Sequence, residues 1–436
     1  MGAALVLLVG VALVAGVVLL SIPSSRERLL GAVGSTEAPD PAAPPPGSAA
    51  TGRAVDPDAP TRWGPTRGEW QEAQDLVATW SPEQLAGGVL VGRYHGTDPT
   101  VPADLVEDLH LAGVSVTGAN VADEEQVRAT TRAVTDAALA DGRDHPPVIG
   151  VDQEGGYVSH LRGVATEFPA FSAAGRAVTA DPRAGSAAVH TAADTTGLEL
   201  RDLGFTWIFA PVADVTIGAG DAAIGSRSAG SDPDVVARAT GSAVSGYLDA
   251  GVVATVKHFP GHGTATEDSH DELPHLSSTW ADLEARDLVP FRRAVKAGAS
   301  SVMVAHVALD DVDPGVPATL SSELFRRLRE EVGFDGVAIT DSMGMGAVAG
   351  RPRPAVQALV AGADLVLMPV DTATTHAVVT DAIVSGDLPR ARVEEAAARV
   401  VALQRWQARV AAETPVPSTV REDAAAASLA LSEAGS

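Results

Sequence analysis

Eight short runs of apolar, mostly β-branched residues recur along the chain, at residues 88–94, 114–119, 147–152, 206–214, 252–258, 301–306, 336–341 and 364–369. Longer helix-compatible stretches separate them, which is the pattern of a parallel sheet built from βα units. Val302-Met303-Val304-Ala305 and Leu365-Val366-Leu367-Met368 are continuously apolar rather than alternating, as strands buried on both faces must be. Eight such units across residues 67–412 predict an α/β fold, a single (β/α)8 TIM-type barrel with some long loops. An open doubly wound sheet is the competing architecture, but no glycine-rich nucleotide fingerprint follows the first run.

The flanks have a different composition. Residues 3–22 are apolar and uncharged, about the 20 residues a helix needs to cross a bilayer, so residues 1–23 read as a transmembrane anchor or a signal segment. Arg26, Arg28 and Arg53 follow and would by themselves favour retention in the cytoplasm, whereas an anchor or a cleaved signal implies an extracytoplasmic catalytic part in the cell envelope. Residues 24–66, rich in Pro, Ala, Gly and Ser and including Pro44-Pro45-Pro46, predict a flexible linker. Residues 413–436 read as an Ala/Ser-rich tail with no assigned function.

A formal charge of −25 with no basic run excludes nucleic acid as a partner. The chain has no cysteine, which excludes disulfides, thiolate nucleophiles and thiolate zinc sites. What remains is the polar chemistry at the strand ends. Barrel enzymes keep their reactive groups at the C-terminal ends of the strands, and Asp152, Asp214, Lys257, His258, His306 and Asp341 all fall there. One such residue is most simply a helix cap; six at corresponding positions point to a common site.

Three segments carry a resemblance: Val151-Asp152-Gln153-Glu154-Gly155-Gly156; Lys257-His258-Phe259-Pro260-Gly261-His262-Gly263 with Asp268-Ser269-His270; and Ile339-Thr340-Asp341-Ser342-Met343-Gly344-Met345. Together they resemble glycoside hydrolase family 3, especially its β-N-acetylglucosaminidase branch. Ala210-Pro211-Val212-Ala213-Asp214, Gly225-Ser226-Arg227-Ser228 and Ala361-Gly362-Ala363-Asp364 extend the likeness over residues 85–403. The resemblance implies a retaining exo-glycosidase that removes terminal β-linked N-acetylglucosamine from peptidoglycan fragments or related glycans, without a metal or organic cofactor.

By that resemblance Asp341 is the nucleophile, His270 the acid/base on a loop after the fifth strand, and Asp268 the carboxylate that orients and charges its imidazole. Asp152, Arg227, Lys257 and His258 are implied contacts to sugar hydroxyls, with His262 supporting the loop. Tyr157 and His160 stand where the family commonly has arginines, and Arg162 is the candidate to compensate. The spacing of His258, His262, His270 and His275 does not reproduce a zinc-protease helix pair, and the intervening Pro260, Gly261 and Gly263 mark a loop, so no metal site is assigned. β-Glucosidase and glycoside phosphorylase are alternatives within the family, and a non-catalytic sugar-binding barrel is the alternative from another class. The related two-domain β-glucosidases carry a second α/β domain for which little chain follows Pro369, which favours the glucosaminidase reading.

Overall fold

The computed structural model describes residues 56–218, 221, 223–265, 269 and 271–434. The apolar segment 1–23, most of the 24–66 stretch, and both Asp268 and His270 therefore lie outside the described residues.

Each of the eight apolar runs overlaps a strand of one parallel sheet, the strands at runs 114–119 and 252–258 each extending one residue beyond. The strands are β1 (Leu90–Gly92), β2 (Gly113–Val116), β3 (Val148–Val151), β4 (Trp207–Ile208), β5 (Val253–Phe259), β6 (Ser301–Val304), β7 (Val337–Thr340) and β8 (Val366–Leu367). Their order is β7-β6-β5-β4-β3-β2-β1-β8. Leu90 pairs with Val366 on one edge, and on the other Ile339 bridges to Leu365 while the Thr340 N–H donates to the Leu365 carbonyl at 2.9 Å. The two ends of the sheet thus meet in a nearly closed barrel. Every residue of the eight strands is buried, which explains why the runs do not alternate.

Glycines set two of the closest approaches. A Cβ at Gly113 would lie 1.8 Å from the Val148 carbonyl oxygen, and one at Gly150 would lie 2.5 Å from the Phe209 ring. At the N-terminal end of β8 the buried Asp364 is held by three arginines, with Arg329 at 2.5 Å, Arg392 at 2.8 Å and Arg399 at 3.3 Å. Burial opposes its ionisation, but the three guanidinium groups and the Ala338 N–H bring its pKa down to about 2.

The elements that bear on the site and on the flanks are α1 (Arg67–Val77), α2 (Ser172–Ala180), α3 (Pro182–Asp202), α4 (Pro233–Ala250), α5 (Arg390–Glu413) and α6 (Val420–Ala434). Both predicted flank boundaries need correction. The folded domain begins before residue 67: Pro60 bridges to Thr66, the Gly68 N–H donates to the Pro57 carbonyl at 2.8 Å, and Trp63 is buried edge-on against Trp70 with ring centroids 6.1 Å apart. Thr66 then starts α1 through a capping box with Glu69. A lone Trp63 among prolines gives no periodic signal, and the ring that Gly64 packs on, Trp406, belongs to α5.

The predicted tail is also part of the fold. Helix α6 buries Val420, Ala424, Ala427 and Leu431, a helical stripe that docks on α2 and α3. Arg421 donates to the Val164 carbonyl, and the Ser428 hydroxyl to the Glu167 carbonyl at 2.9 Å. Among the described residues no helix is long and apolar enough to cross a membrane. Leu431 is 5% exposed, and we expect Leu431→Ala to cost about 2–3 kcal/mol in a urea titration, the range for truncating a buried leucine; an unchanged midpoint would mean that α6 does not stay docked in solution.

Candidate functional site

At the C-terminal mouth of the barrel a cavity of about 540 Å³ is lined by Asp152, Arg227, Lys257, His258 and Asp341 among others. Of the six strand-end residues singled out in the sequence, four line it directly, while Asp214 and His306 stand behind and hold those that do.

The site is built outward from Lys257. It lies within β5, whose seven residues are all buried, and a lone ammonium there would be prohibitively desolvated. Two carboxylates answer it: Asp152 Oδ1 at 2.5 Å and Glu154 Oε1 at 2.7 Å. Asp152 follows β3 directly, and Gln153–Gly155 continues as an extended segment paired with Val158–Ser159. Residues two apart on an extended chain share a face, so Asp152 and Glu154 both reach Lys257 while the buried Gln153 turns away and accepts the Leu161 N–H at 3.1 Å. Burial lowers the Lys257 pKa, and the Asp152 and Glu154 charges more than reverse this, so the net shift is upward and the ammonium is retained.

Glu154 is shared. Arg227, on the turn Gly225–Arg227, grips it in a fork, Nε to Oε2 at 2.9 Å and Nη2 to Oε1 at 2.8 Å. Burial pushes the Glu154 carboxyl up, yet Lys257 and Arg227 together bring it to about 2. The same Arg227 Nη2 lies 3.3 Å from His258 Nε2, and His258 Nδ1 lies 2.6 Å from Asp214 Oδ2. An arginine can only donate, so Nε2 accepts and Nδ1 carries the proton to Asp214, which assigns the tautomer from the bonding pattern. Asp214 also accepts the His258 and His262 backbone N–H groups, at 3.2 and 2.6 Å. The Lys257–His258 and Phe259–Pro260 peptide bonds in this stretch are cis.

Asp341 follows β7. Its N–H donates to the Val304 carbonyl at 3.0 Å, and its Oδ1 accepts the Ser342 N–H at 2.7 Å. His306 Nε2 lies 3.1 Å from the Ser342 carbonyl oxygen and donates to it, which fixes the turn from below. Burial works against ionisation of Asp341, but the neighbouring His258 and His306, the Ser342 N–H and Lys257 outweigh it and hold the carboxyl below its ordinary value. The cavity therefore presents a carboxylate on one side and a paired lysine, carboxylate and arginine on another. Such a surface can bind a polyol through fixed donors and acceptors and offer one carboxylate to an electrophilic carbon.

The expected substrate contact Arg162 is not in the lining. Its Nη2 donates to the Gly156 carbonyl at 2.8 Å on the exposed side of the turn, whereas His160 lines the cavity; residues 160–164 form a turn, so residues two apart here do not share a face. Tyr157 also lines the cavity, its hydroxyl 3.4 Å from the Ala223 carbonyl oxygen. His262 lines the cavity and contacts the Ser269 hydroxyl at 3.0 Å, whereas His275 pairs with Asp310 at 2.8 Å on an exposed strand. Among the described residues no group of three or more His, Asp or Glu side chains could hold a metal ion.

Sequence reasoning left three participants without their roles. Glu154 was legible as the second carboxylate of an Asp-x-Glu pair in an extended segment; Asp214 was noticed but left without its two-sided role; and Arg93, the first polar residue after β1, occupies the same strand-end position as the others and also lines the cavity.

Residues 87–403 match the family described as "Glycosyl hydrolase family 3 N terminal domain". Among curated relatives, a β-hexosaminidase of Stenotrophomonas maltophilia is 38% identical over 278 residues, 63% of this chain and 81% of that protein. A β-hexosaminidase of Alkalilimnicola ehrlichii is 38% identical over 262 residues, 59% and 73% of the two chains. Among solved structures, a glycoside hydrolase family 3 β-N-acetylglucosaminidase from Paenibacillus superposes with a TM-score of 0.75 at 34% identity, covering 82% of this chain and 69% of that one. A β-N-acetylhexosaminidase from Beutenbergia cavernae does so with a TM-score of 0.67 at 30% identity, covering 75% and 99%.

The Glu154 network makes a pH-dependent prediction. Glu154→Gln leaves Lys257 and Arg227 undercompensated and is expected to cost about 3 kcal/mol or more at neutral pH. Because the folded-state pKa lies below the ordinary 4.5, this contribution is complete above pH 4.5 and lost as pH falls toward the folded value of about 2. Chemical denaturation of wild type and variant should therefore converge across that window; a constant gap would refute the ionised pairing.

Proposed function

This chain belongs to glycosyl hydrolase family 3, and on that premise we propose that it is a retaining exo-glycosidase that releases terminal β-linked N-acetylglucosamine from peptidoglycan fragments or related glycans. The observation that carries this reading is Asp341 at the end of β7, lining the same cavity as the paired Asp152, Lys257 and Arg227.

In the first step an Asp341 carboxylate oxygen attacks the anomeric carbon, the bond to the leaving oxygen breaks, and His270 gives that oxygen its proton. In the second step water attacks the same carbon, His270 takes a proton from it, and the bond to Asp341 breaks. Asp268 steadies the imidazolium formed between proton transfers. Ser269, which separates the two in sequence, lines the cavity beside His262 and supports the assignment.

The sugar is held by groups with spare capacity. Lys257 has three N–H bonds and spends two on Asp152 and Glu154, which leaves one for a hydroxyl; Asp152 keeps its second oxygen for a hydroxyl donor. Because every partner is already fixed, binding costs little reorganisation. The preference for an N-acetylated sugar is supported by the β-hexosaminidase and β-N-acetylglucosaminidase relatives and by the Asp268-Ser269-His270 segment.

Residues 3–22 support a site of action in the cell envelope, with the chain either anchored or secreted. Cell fractionation that recovered the full-length chain only in the cytoplasm would overturn this. For the mechanism, intact-protein mass spectrometry after reaction with a fluorinated N-acetylglucosamine analogue is expected to give one covalent adduct, mapping to Asp341, and Asp341→Asn should lower kcat by at least about 10³-fold. An adduct on another carboxylate would sink the assignment.

A further inference from the structure

A second cavity, of about 460 Å³, opens at the opposite end of the barrel, where the chain enters β1, β2 and β3. Trp80 and Gln84 reach it from ahead of β1, His110 from ahead of β2, His145 from ahead of β3, and Gln404 from α5. Trp80 is seated on bare backbone: a Cβ at Gly88 would lie 2.5 Å from its ring, so glycine there lets the indole stand in the cavity wall. His110 has a left-handed backbone, with φ 50°, which is uncommon outside glycine. Its carbonyl oxygen would lie 2.4 Å from a Cβ at Gly87, so the backbone that carries the ring is laid directly on the preceding helix.

Four of these side chains are tied down at one end and unspent at the other. Gln84 Oε1 accepts the Ser81 N–H at 3.0 Å, which leaves its Nε2 donors free; Gln404 Nε2 donates to the Ala112 carbonyl at 3.1 Å, which leaves its Oε1 as an acceptor. His110 Nδ1 lies 2.9 Å from Asp141 Oδ2, and His145 Nδ1 lies 2.8 Å from Asp144 Oδ1. A carboxylate can only accept, so each Nδ1 carries a proton. Among the described residues neither imidazole Nε2 has a partner. Burial, aided by Arg143, holds His145 below its ordinary pKa, so its Nε2 is a bare acceptor. His145 is 3% exposed and Gln404 4%, so their unspent atoms have only the cavity to answer them.

The charges, in contrast, are spent. Arg143 is the one arginine or lysine in the lining, and Asp141 and the Leu111 and Val106 carbonyls occupy its guanidinium. Asp144 is held between His145 and Arg405. An anion would meet two carboxylates and no free cation in the lining, and a cation would meet carboxylates already paired. The ligand that fits is neutral, has groups that both donate and accept, and offers an apolar face to the indole. Sugar hydroxyls and the C–H face of a pyranose ring meet all three conditions.

We propose that this cavity is a second, non-catalytic carbohydrate site, taking a neutral sugar that stacks on Trp80 and hydrogen-bonds to Gln84, His110, His145 and Gln404. Lying at the far end of the barrel from Asp341, it holds a glycan without cleaving it.

The test is hydrogen exchange on the full chain, read by mass spectrometry across a concentration series of a thio-linked N-acetylglucosamine disaccharide, which resists hydrolysis. Amides in residues 79–90, 109–112 and 141–146 should slow in a saturable way, separately from those in residues 152–160 at the catalytic mouth. Half-saturation at the second cavity should rise about 3- to 10-fold in His110→Asn, the cost of one hydrogen bond at a position where asparagine also tolerates the left-handed backbone. Trp80→Leu should raise it by a similar factor, with the mouth unchanged in both variants. The same disaccharide carrying a phosphate should bind the second cavity about 10-fold more weakly, because it brings like charge to Asp141 and Asp144. Slowing confined to the mouth, an unshifted half-saturation in both variants, or tighter binding of the phosphorylated disaccharide overturns the proposal. Slowing at the second cavity without any at the mouth supports it and counts against the glycosidase reading alone.

Discussion

The ammonium of Lys257 has no access to bulk water sufficient to solvate it, and the rest of the site follows from that constraint. Two carboxylates must stand within hydrogen-bonding distance, which obliges the chain after β3 to stay extended for two more residues and to fold back as a hairpin. One of those carboxylates is itself too buried to bear a single counter-charge comfortably, so Arg227 joins it, and through Arg227 the constraint reaches His258 and Asp214. Loops after β3, β4 and β5 are thereby locked to one another by charge instead of by apolar packing. A network of this kind is a poor source of net stability but a strong source of position, and position is what a site for a flexible polyol needs.

Much of this was readable from the chain. Buried parallel strands need uninterrupted apolar residues, so each of the eight runs met its strand to within a residue at the ends that overran, and the rule that chemistry collects at strand ends pointed to Asp152, Lys257, His258 and Asp341. What the sequence hid depended on contacts between distant residues. Trp63 counts as linker until Trp70 and Trp406 are seen beside it. Helix α6 has a buried stripe at positions 420, 424, 427 and 431, but its alanine-rich composition is equally that of a tail, and the surface it needs is supplied by α2 and α3. Arg162 was two residues from a position that faces the cavity, and the turn at residues 160–164 breaks the alternation that would have placed both on one face.

The two ends of the barrel use the same physics for different purposes. At the N-terminal end one buried carboxylate, Asp364, is surrounded by three arginines and leaves no unused valence to offer a ligand. At the C-terminal end the ratio is inverted, with carboxylates and cations arranged so that hydrogen-bonding capacity is left over and faces open space. The first arrangement tethers β8 to α5 and to the helix carrying Arg329; the second holds groups ready for an incoming molecule.

Helix α6 gives the chain's last turns an influence beyond the surface they cover. Leu431 borders a small cavity whose other walls include Gln153, Glu154 and Tyr247, so the helix forms the outer wall directly behind the carboxylate that Lys257 and Arg227 share. Loss of α6 after cleavage at the Thr414–Thr419 connection would leave every barrel strand and every side chain lining the C-terminal cavity intact, yet would expose the rear of that carboxylate and weaken the pairing that depends on its burial. Trimming at the carboxyl end would thus act on the sugar-holding array from behind, with no residue lining the C-terminal cavity removed.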